Sequence, residues 1–290
     1  MTGLEVVRAG IRSTVQDLGR VGLAHLGVPR SGAVDAGALR LANRLVGNPE
    51  QAAGLEVTLG GCVLRPTRAV TLAVTGARCG VWVDDRPANW ALPVGVPAGA
   101  TVLIERASTG LRAYVAVGGG ITVPAVLGSR ATDTLSGLGP PQVRDGDVLP
   151  LGTAVAAPPG VDVAPYALPA SELTVGIRLG PRDDWFTAEA IETLCSAPYT
   201  VSTLTDRVGA RLVGPPLTRS VTRELPSEGV VLGAVQVPAN GQPLIFLADH
   251  PTTGGYPVVA VADPDALDAI AQARPGTVVR FHVLDKRWLN

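Results

Sequence analysis

Glycine and proline interrupt this chain every few residues, 35 and 25 times in 290 positions, and the stretches between them are rich in Val, Leu and Thr. Interior glycine costs a helix about 1 kcal/mol and interior proline about 3 kcal/mol, so a chain broken this often cannot build long helices. Short strands bounded by turns are the arrangement it permits. The spacing predicts strands at Leu4–Val7, Leu55–Leu59, Val70–Thr75, Gly80–Val83, Thr101–Glu105, Ala113–Val117, Leu173–Leu179, Thr200–Ser202, Leu244–Leu247 and Val278–Val283. A turn glycine running into an apolar strand occurs at Pro97–Val102, at Arg144–Leu149 and at Arg274–Val279. The fold class expected is mainly β with a few accessory helices, as barrels or sandwiches.

Three helices are expected. In the first, which Asp35 caps, Ala38, Leu39, Ala42, Leu45 and Val46 share one face before Gly47-Asn48-Pro49 ends it. The second runs from Thr187 to Cys195, and the third starts at Asp263-Pro264 and faces inward through Leu267 and Ile270. An Ala/Pro-rich stretch without periodicity marks a linker over 156–171, which gives an N-terminal lobe at 1–155 and a C-terminal lobe at 172–290.

With 24 basic residues against 25 acidic ones, the chain lacks the positive field of a nucleic-acid or membrane-surface binder. No apolar run reaches the ~18 residues of a membrane-spanning helix. The first residues, Met1-Thr2-Gly3-Leu4-Glu5, have no basic segment followed by an apolar one, so a cytoplasmic protein is expected. Cys62, Cys79 and Cys195 stand in apolar surroundings without ligand spacing, which reads as buried thiols. The histidines show no metal spacing, and no metal site is expected.

Charged residues set among glycines mark the candidate site, because side chains on turns can converge on a ligand. Gln16, Asp17 and Arg20 offer an amide, a carboxylate and a planar five-donor fork suited to a small polar substrate, although a pair of capped turns has the same composition. Gly118-Gly119-Gly120 lacks the Lys-Ser/Thr of a nucleotide loop. In Leu127–Asp133, Arg130 can grip an oxyanion with Asp133 orienting it, or the two can form a structural pair. Further along are Asp206, Arg207, Glu228 and Gln236, and the densest cluster is Asp249-His250-Pro251-Thr252-Thr253-Gly254-Gly255-Tyr256. There Thr252 and Thr253 could turn hydroxyls and amides toward an anion. Asp249, at the end of an apolar strand, is a candidate general base, with His250 as a weaker acid/base candidate and Tyr256 beside them.

Taken together, Thr14–Arg20, Leu39–Asn48, Glu56–Gly61, Leu127–Asp133, Ser227–Gly229 and Thr252–Pro257 resemble the family of 5-oxoprolinase C subunits (KipA-like, allophanate hydrolase subunit 2), which includes the carboxyltransferase part of urea carboxylase. The resemblance spans nearly the whole chain. One departure is Thr205-Asp206-Arg207-Val208-Gly209, where the family pattern leads one to expect Ser-Asp-Arg-Met-Gly.

The resemblance implies two cyclophilin-like β-barrel lobes, a heteromer with KipI-like and LamB/YcsF-like partner chains, and ATP-dependent opening of 5-oxo-L-proline to L-glutamate, with ATP and Mg2+ used by the assembled complex. The catalytic residues implied are Asp249, Arg130, Asp133 and Tyr256; the substrate-binding residues are Gln16, Asp17, Arg20, Asp206, Arg207, Glu228, Gln236, Thr252 and Thr253. Two alternatives carry different chemistry. One is a biotin-dependent carboxyltransferase lobe, although this chain has no Met-Lys-Met biotin acceptor; the other is a non-catalytic regulatory subunit.

Overall fold

The structure is a computed structural model and describes residues 3–154, 156–160, 164, 166 and 169–284. The chain divides into two compact units, Met1–Arg20 with Ser31–Pro169, and Val21–Arg30 with Ala170–Asn290. The segment Val21–Arg30, whose Ala24–Leu26 forms a 3-10 turn, thus groups with the second unit, whereas the sequence places it in the first lobe.

In chain order the first unit contains β1 (Gly3–Arg8), β2 (Arg12–Gln16), α1 (Ala36–Leu45), β3 (Gly54–Thr58), β4 (Cys62–Pro66), β5 (Val70–Arg78), β6 (Val81–Val83), β7 (Arg86–Ala88), β8 (Val94–Val96), β9 (Val102–Ile104), β10 (Thr109–Val117) and β11 (Val148–Pro150). They form a six-stranded sheet, β11-β1-β4-β9-β6-β7, and a five-stranded sheet, β2-β3-β10-β5-β8. One apolar core takes Leu4, Val6, Leu64, Val102 and Ile104 from the first sheet and Val15, Leu55, Val57, Leu72, Val74, Val115 and Val117 from the second. Period-2 alternation fills it, since every second residue of each strand turns inward.

Helix α1 covers the outer face of the five-stranded sheet. The Asp35 carboxylate accepts from Ala38 N at 2.8 Å, capping its first turn as the sequence predicts, and Ala38, Leu39, Ala42 and Leu45 are buried. After the helix, Asn48 donates to Val117 O at 2.9 Å and accepts from Gly119 N at 2.8 Å. This explains the glycine triplet. Gly119 has φ +93°, and a Cβ there would lie 2.1 Å from Gly152 O, so the triplet serves a close backbone approach.

The second unit carries β12 (Glu172–Leu179), α2 (Ala188–Ser196), β13 (Tyr199–Val201), β14 (Gly209–Val213), β15 (Glu228–Gly229), β16 (Ala234–Gln236), β17 (Leu244–Phe246), β18 (Thr253–Gly254), β19 (Val258–Ala262), α3 (Pro264–Ala271) and β20 (Val278–Val283). Seven of these strands close a barrel in the order β12-β19-β16-β17-β14-β13-β20. The β12–β20 pair that closes it is parallel, with Glu172 opposite Val278. Outside the barrel, β15 and β18 form a short ribbon that pairs Glu228 with Gly254. No helix among the described residues is long and apolar enough to cross a membrane.

Candidate functional site

In the first unit the polar residues gather where β2 ends against the loop 126–133. Gln16, read from the sequence as part of a turn, is the last residue of a strand, because β2 pairs along its length with β3 from Arg12–Thr58 to Gln16–Gly54. Thr132 N donates to Val15 O at 2.9 Å and fixes the loop to the strand. The Asp17 carboxylate organises that loop, accepting from Gly19 N at 2.8 Å, Ser129 Oγ at 2.6 Å and Arg130 N at 2.6 Å. It is therefore a scaffold group. Gln16 Nε2 donates to Thr132 O at 2.9 Å, which also fixes which end of the amide is oxygen. Arg20 Nε donates to Val126 O at 3.1 Å and Nη2 to Ala131 O at 2.7 Å. Gly139, at φ +88°, leaves room for that guanidinium, since a Cβ would stand 2.7 Å from Nη2. Three polar atoms in this cluster are buried without a protein partner: Gln16 Oε1, Arg20 Nη1 and Thr132 Oγ1.

Arg130 and Asp133 do not pair. Asp133 accepts from Leu135 N at 2.9 Å, Ser136 N at 3.1 Å and Ser136 Oγ at 2.7 Å, so its own turn uses the carboxylate. Arg130 Nε donates to Val123 O at 2.8 Å. Among the described residues its Nη groups have no acceptor, which leaves them available to an oxyanion.

In the second unit, Asp249 and Arg207 form a bidentate ion pair across 42 residues, with Nε–Oδ2 at 2.9 Å and Nη2–Oδ1 at 3.0 Å; both are buried. This revises the general-base assignment, because both carboxylate oxygens already accept from a guanidinium. Asp206, read as a ligand group, accepts from Val208 N at 2.8 Å and Gly209 N at 3.2 Å, the signature of a turn. His250 Nδ1 lies 2.7 Å from Pro251 O; a carbonyl only accepts, so Nδ1 carries the proton.

The β15–β18 ribbon brings Glu228 beside Thr252, Thr253 and Gly254, and Val230 N donates to Thr252 O at 3.0 Å. Glu228 is held by Arg182, whose Nε donates to Oε2 at 3.0 Å; that hydrogen bond lowers the Glu228 carboxyl from its ordinary value. Buried Gln236 donates to Tyr256 O at 3.0 Å, and the half-exposed Tyr256 ring lies 5.9 Å from the Arg219 guanidinium. Arg219 in turn donates to Val237 O.

A family model described as "Carboxyltransferase domain, subdomain A and B" matches residues 26–283. The chain belongs to that family. It is 38% identical to the C subunit of 5-oxoprolinase from Escherichia coli strain K12, over 96% of this chain and 90% of that one. It is 35% identical to the corresponding 5-oxoprolinase chain of Haemophilus influenzae, over 97% and 91%. The crystal structure of the K. lactis urea amidolyase superposes with a TM-score of 0.89 at 30% identity; the match takes 98% of this chain and 19% of that one. This carboxyltransferase-family chain thus corresponds to almost all of the first two relatives and to one segment of the third.

One buried constellation of this carboxyltransferase-family chain was not singled out from the sequence. Glu56 Oε2 accepts from Val34 N at 3.0 Å and from the Tyr114 hydroxyl at 2.8 Å; that hydroxyl accepts from Asp35 N at 2.8 Å. The Tyr166 hydroxyl donates to Asp35 Oδ2 at 2.8 Å. Burial, followed by the carboxylates of Glu56 and Asp35, pushes the Tyr114 phenol well above its ordinary value. The signal available was a glutamate within a strand whose neighbours Leu55 and Val57 are core residues. Arg182 and Arg219 were missed as well, since no glycine cluster surrounds either. Cys62 and Cys79 are buried thiols pushed up to about 12, chiefly by burial, which keeps them protonated and poorly nucleophilic. Among the described residues no group of three or more His, Cys, Asp or Glu side chains could hold a metal ion.

Proposed function

We propose that this chain is the C subunit of an ATP-dependent 5-oxoprolinase that opens 5-oxo-L-proline to L-glutamate together with KipI-like and LamB/YcsF-like partner chains. The observation that carries the reading is the 38% identity to the 5-oxoprolinase chain of E. coli along nearly the whole length of both. In this reading turnover belongs to the cytoplasmic assembly, and the isolated chain is inactive.

An unactivated lactam resists water. Transfer of the ATP γ-phosphoryl group to the lactam oxygen gives an imidate phosphate; water then adds to that carbon and the ring C–N bond breaks. A second water hydrolyses the resulting acyl phosphate to glutamate and phosphate. Each step develops charge on oxygen, and preorganised cationic donors stabilise such charge. Arg130, whose Nη groups have no acceptor among the described residues, is the residue of the predicted set suited to this work. Of the predicted residues in the second unit, Thr253 and Tyr256 are exposed and Thr252 is partly buried. Asp133 and Asp206 each hold a turn of their own unit, and Asp249 is engaged in an ion pair.

A second reading, a carboxyltransferase lobe that passes CO2 from carboxybiotin to a small amide, is favoured by the family match and the urea amidolyase likeness. The test mixes the purified chain with the KipI-like and LamB/YcsF-like chains from the same source and measures 5-oxoproline-dependent ADP release, with and without biotin and bicarbonate. ADP release that needs all three chains and no bicarbonate is expected. Dependence on biotin and bicarbonate would overturn the 5-oxoprolinase reading in favour of the second, and binding to the KipI-like chain without turnover in any mixture would leave a regulatory role.

A further inference from the structure

The two sheets of the first unit differ in what their outer faces meet. Helix α1 packs on β5 and β10 of the five-stranded sheet, whereas the outward positions of the six-stranded sheet remain accessible. Burial alternates along its strands: Leu64, Val102 and Val81 turn into the core, and their neighbours Val63, Leu103 and Trp82 turn out, each only partly buried. An antiparallel sheet with one wet face ordinarily carries polar side chains on it. This one does not. Register aligns Val63 with Leu103, Leu103 with Trp82 and Trp82 with the exposed Pro87, so an apolar row crosses β4, β9, β6 and β7. On the same face Val148 of β11, which Glu5 separates from Arg65, is 53% exposed. Contiguous apolar surface of this kind marks an interaction site, and tryptophan is among the residue types that most often anchor one.

The edges of the sheet restrict how it can be met. Each edge strand contains a proline, Pro87 in β7 and Pro150 in β11, and proline offers no N–H to an added strand. Contact therefore comes face to face. The charges beside the row are set apart: Arg65, paired with Glu5 yet 40% exposed, lies on β4, and the exposed turn Asp84-Asp85 lies at the β6–β7 end.

We propose that this face binds a second copy of the chain about a two-fold axis that runs along the strands between β6 and β9. That axis sets Trp82 against Leu103 and Pro87 against Val63 of the other copy. It also carries Arg65 over the acidic turn Asp84-Asp85, so opposite charges meet on either side of the apolar row. Six strands about 4.8 Å apart and only a few residues long offer roughly 350 Å2 in projection. A standard stable interface takes ~800 Å2 from each partner, so the dimer is weak and forms at micromolar concentrations. This contact does not depend on the 5-oxoprolinase reading.

Sedimentation velocity of the full chain alone, from about 1 to about 100 μM, is expected to show the weight-average coefficient rising from a monomer value toward a dimer value. Leu103→Glu places a charge in the middle of the row and should keep the chain monomeric throughout; Trp82→Ser should weaken association at least tenfold. Both side chains point away from the core, so circular dichroism melts of the variants at low concentration should stay within about 2 °C of the wild type, which separates lost association from lost folding. A wild type that remains monomeric at the highest concentration overturns the proposal, as does a dimer that survives both substitutions. If the wild type is monomeric and Leu103→Glu instead breaks a complex with the KipI-like chain, the face belongs to that partner and not to a second copy.

Discussion

Asp249→Asn is the substitution that a sequence reading would choose to remove a general base, and the structure predicts a different result. Asp249 and Arg207 are 0% and 1% exposed and joined by two hydrogen bonds of 2.9 and 3.0 Å. Asparagine keeps the shape but offers one acceptor and no charge, which takes the carboxylate charge away from a buried guanidinium. Removing one partner of a buried pair costs about 3–5 kcal/mol. Set against a total stability of roughly 5–15 kcal/mol, this is a large fraction. At about 4 °C per kcal/mol for a unit of this size, the thermal midpoint should fall by ~12–20 °C. Circular dichroism melts of the isolated chain measure it. The double substitution Arg207→Met with Asp249→Leu removes both charges and should recover most of the loss, since replacing a buried pair by apolar side chains is often neutral. If Asp249→Asn melts within a degree or two of the wild type and yet silences the assembly, the carboxylate acts in the chemistry and the structural account is wrong.

Arg130→Ala is the contrasting case: it loses one hydrogen bond to Val123 O, so stability should change by no more than ~1 kcal/mol while ADP release by the assembly falls at least tenfold. Tyr114→Phe removes a buried hydroxyl that serves Glu56 and Asp35 and should cost ~1–3 kcal/mol in urea unfolding. The Glu228 carboxyl is lowered by Arg182, so its ionised form favours the folded state. That contribution is complete above the unfolded carboxyl value of about 4.3 and is lost as pH falls through the lower folded value. Stability against pH should therefore have a shallower acid limb in Glu228→Gln, and an unchanged limb would show that the Arg182 contact is absent in solution.

What the sequence makes visible is what short-range physics decides. Turn glycines and prolines forbid long helices, and the apolar face from Ala38 to Val46 between Asp35 and Gly47 can only be a capped helix, so the β class and α1 are both legible. Strand β2 is not, because buried Ser13, Thr14 and Gln16 break its apolar alternation; Ser13 Oγ satisfies itself on Ala9 O at 2.6 Å, a bond that polarity alone cannot announce. The polar segments divide in the same way. Asp133 and Asp206 accept from amides two and three residues on, which is local turn chemistry and could have been read as such. Asp17 is satisfied in part by Ser129, 112 residues away, and Asp249 by Arg207, 42 residues away; spacing along a chain does not report such pairs. A carboxylate among glycines therefore looks the same whether it builds a turn, neutralises a buried cation or meets a substrate. The difference lies in which polar atoms stay unpaired once the fold has closed. By that criterion the oxygens of Asp133 and Asp249 are occupied, whereas the Nη groups of Arg130 have no acceptor among the described residues.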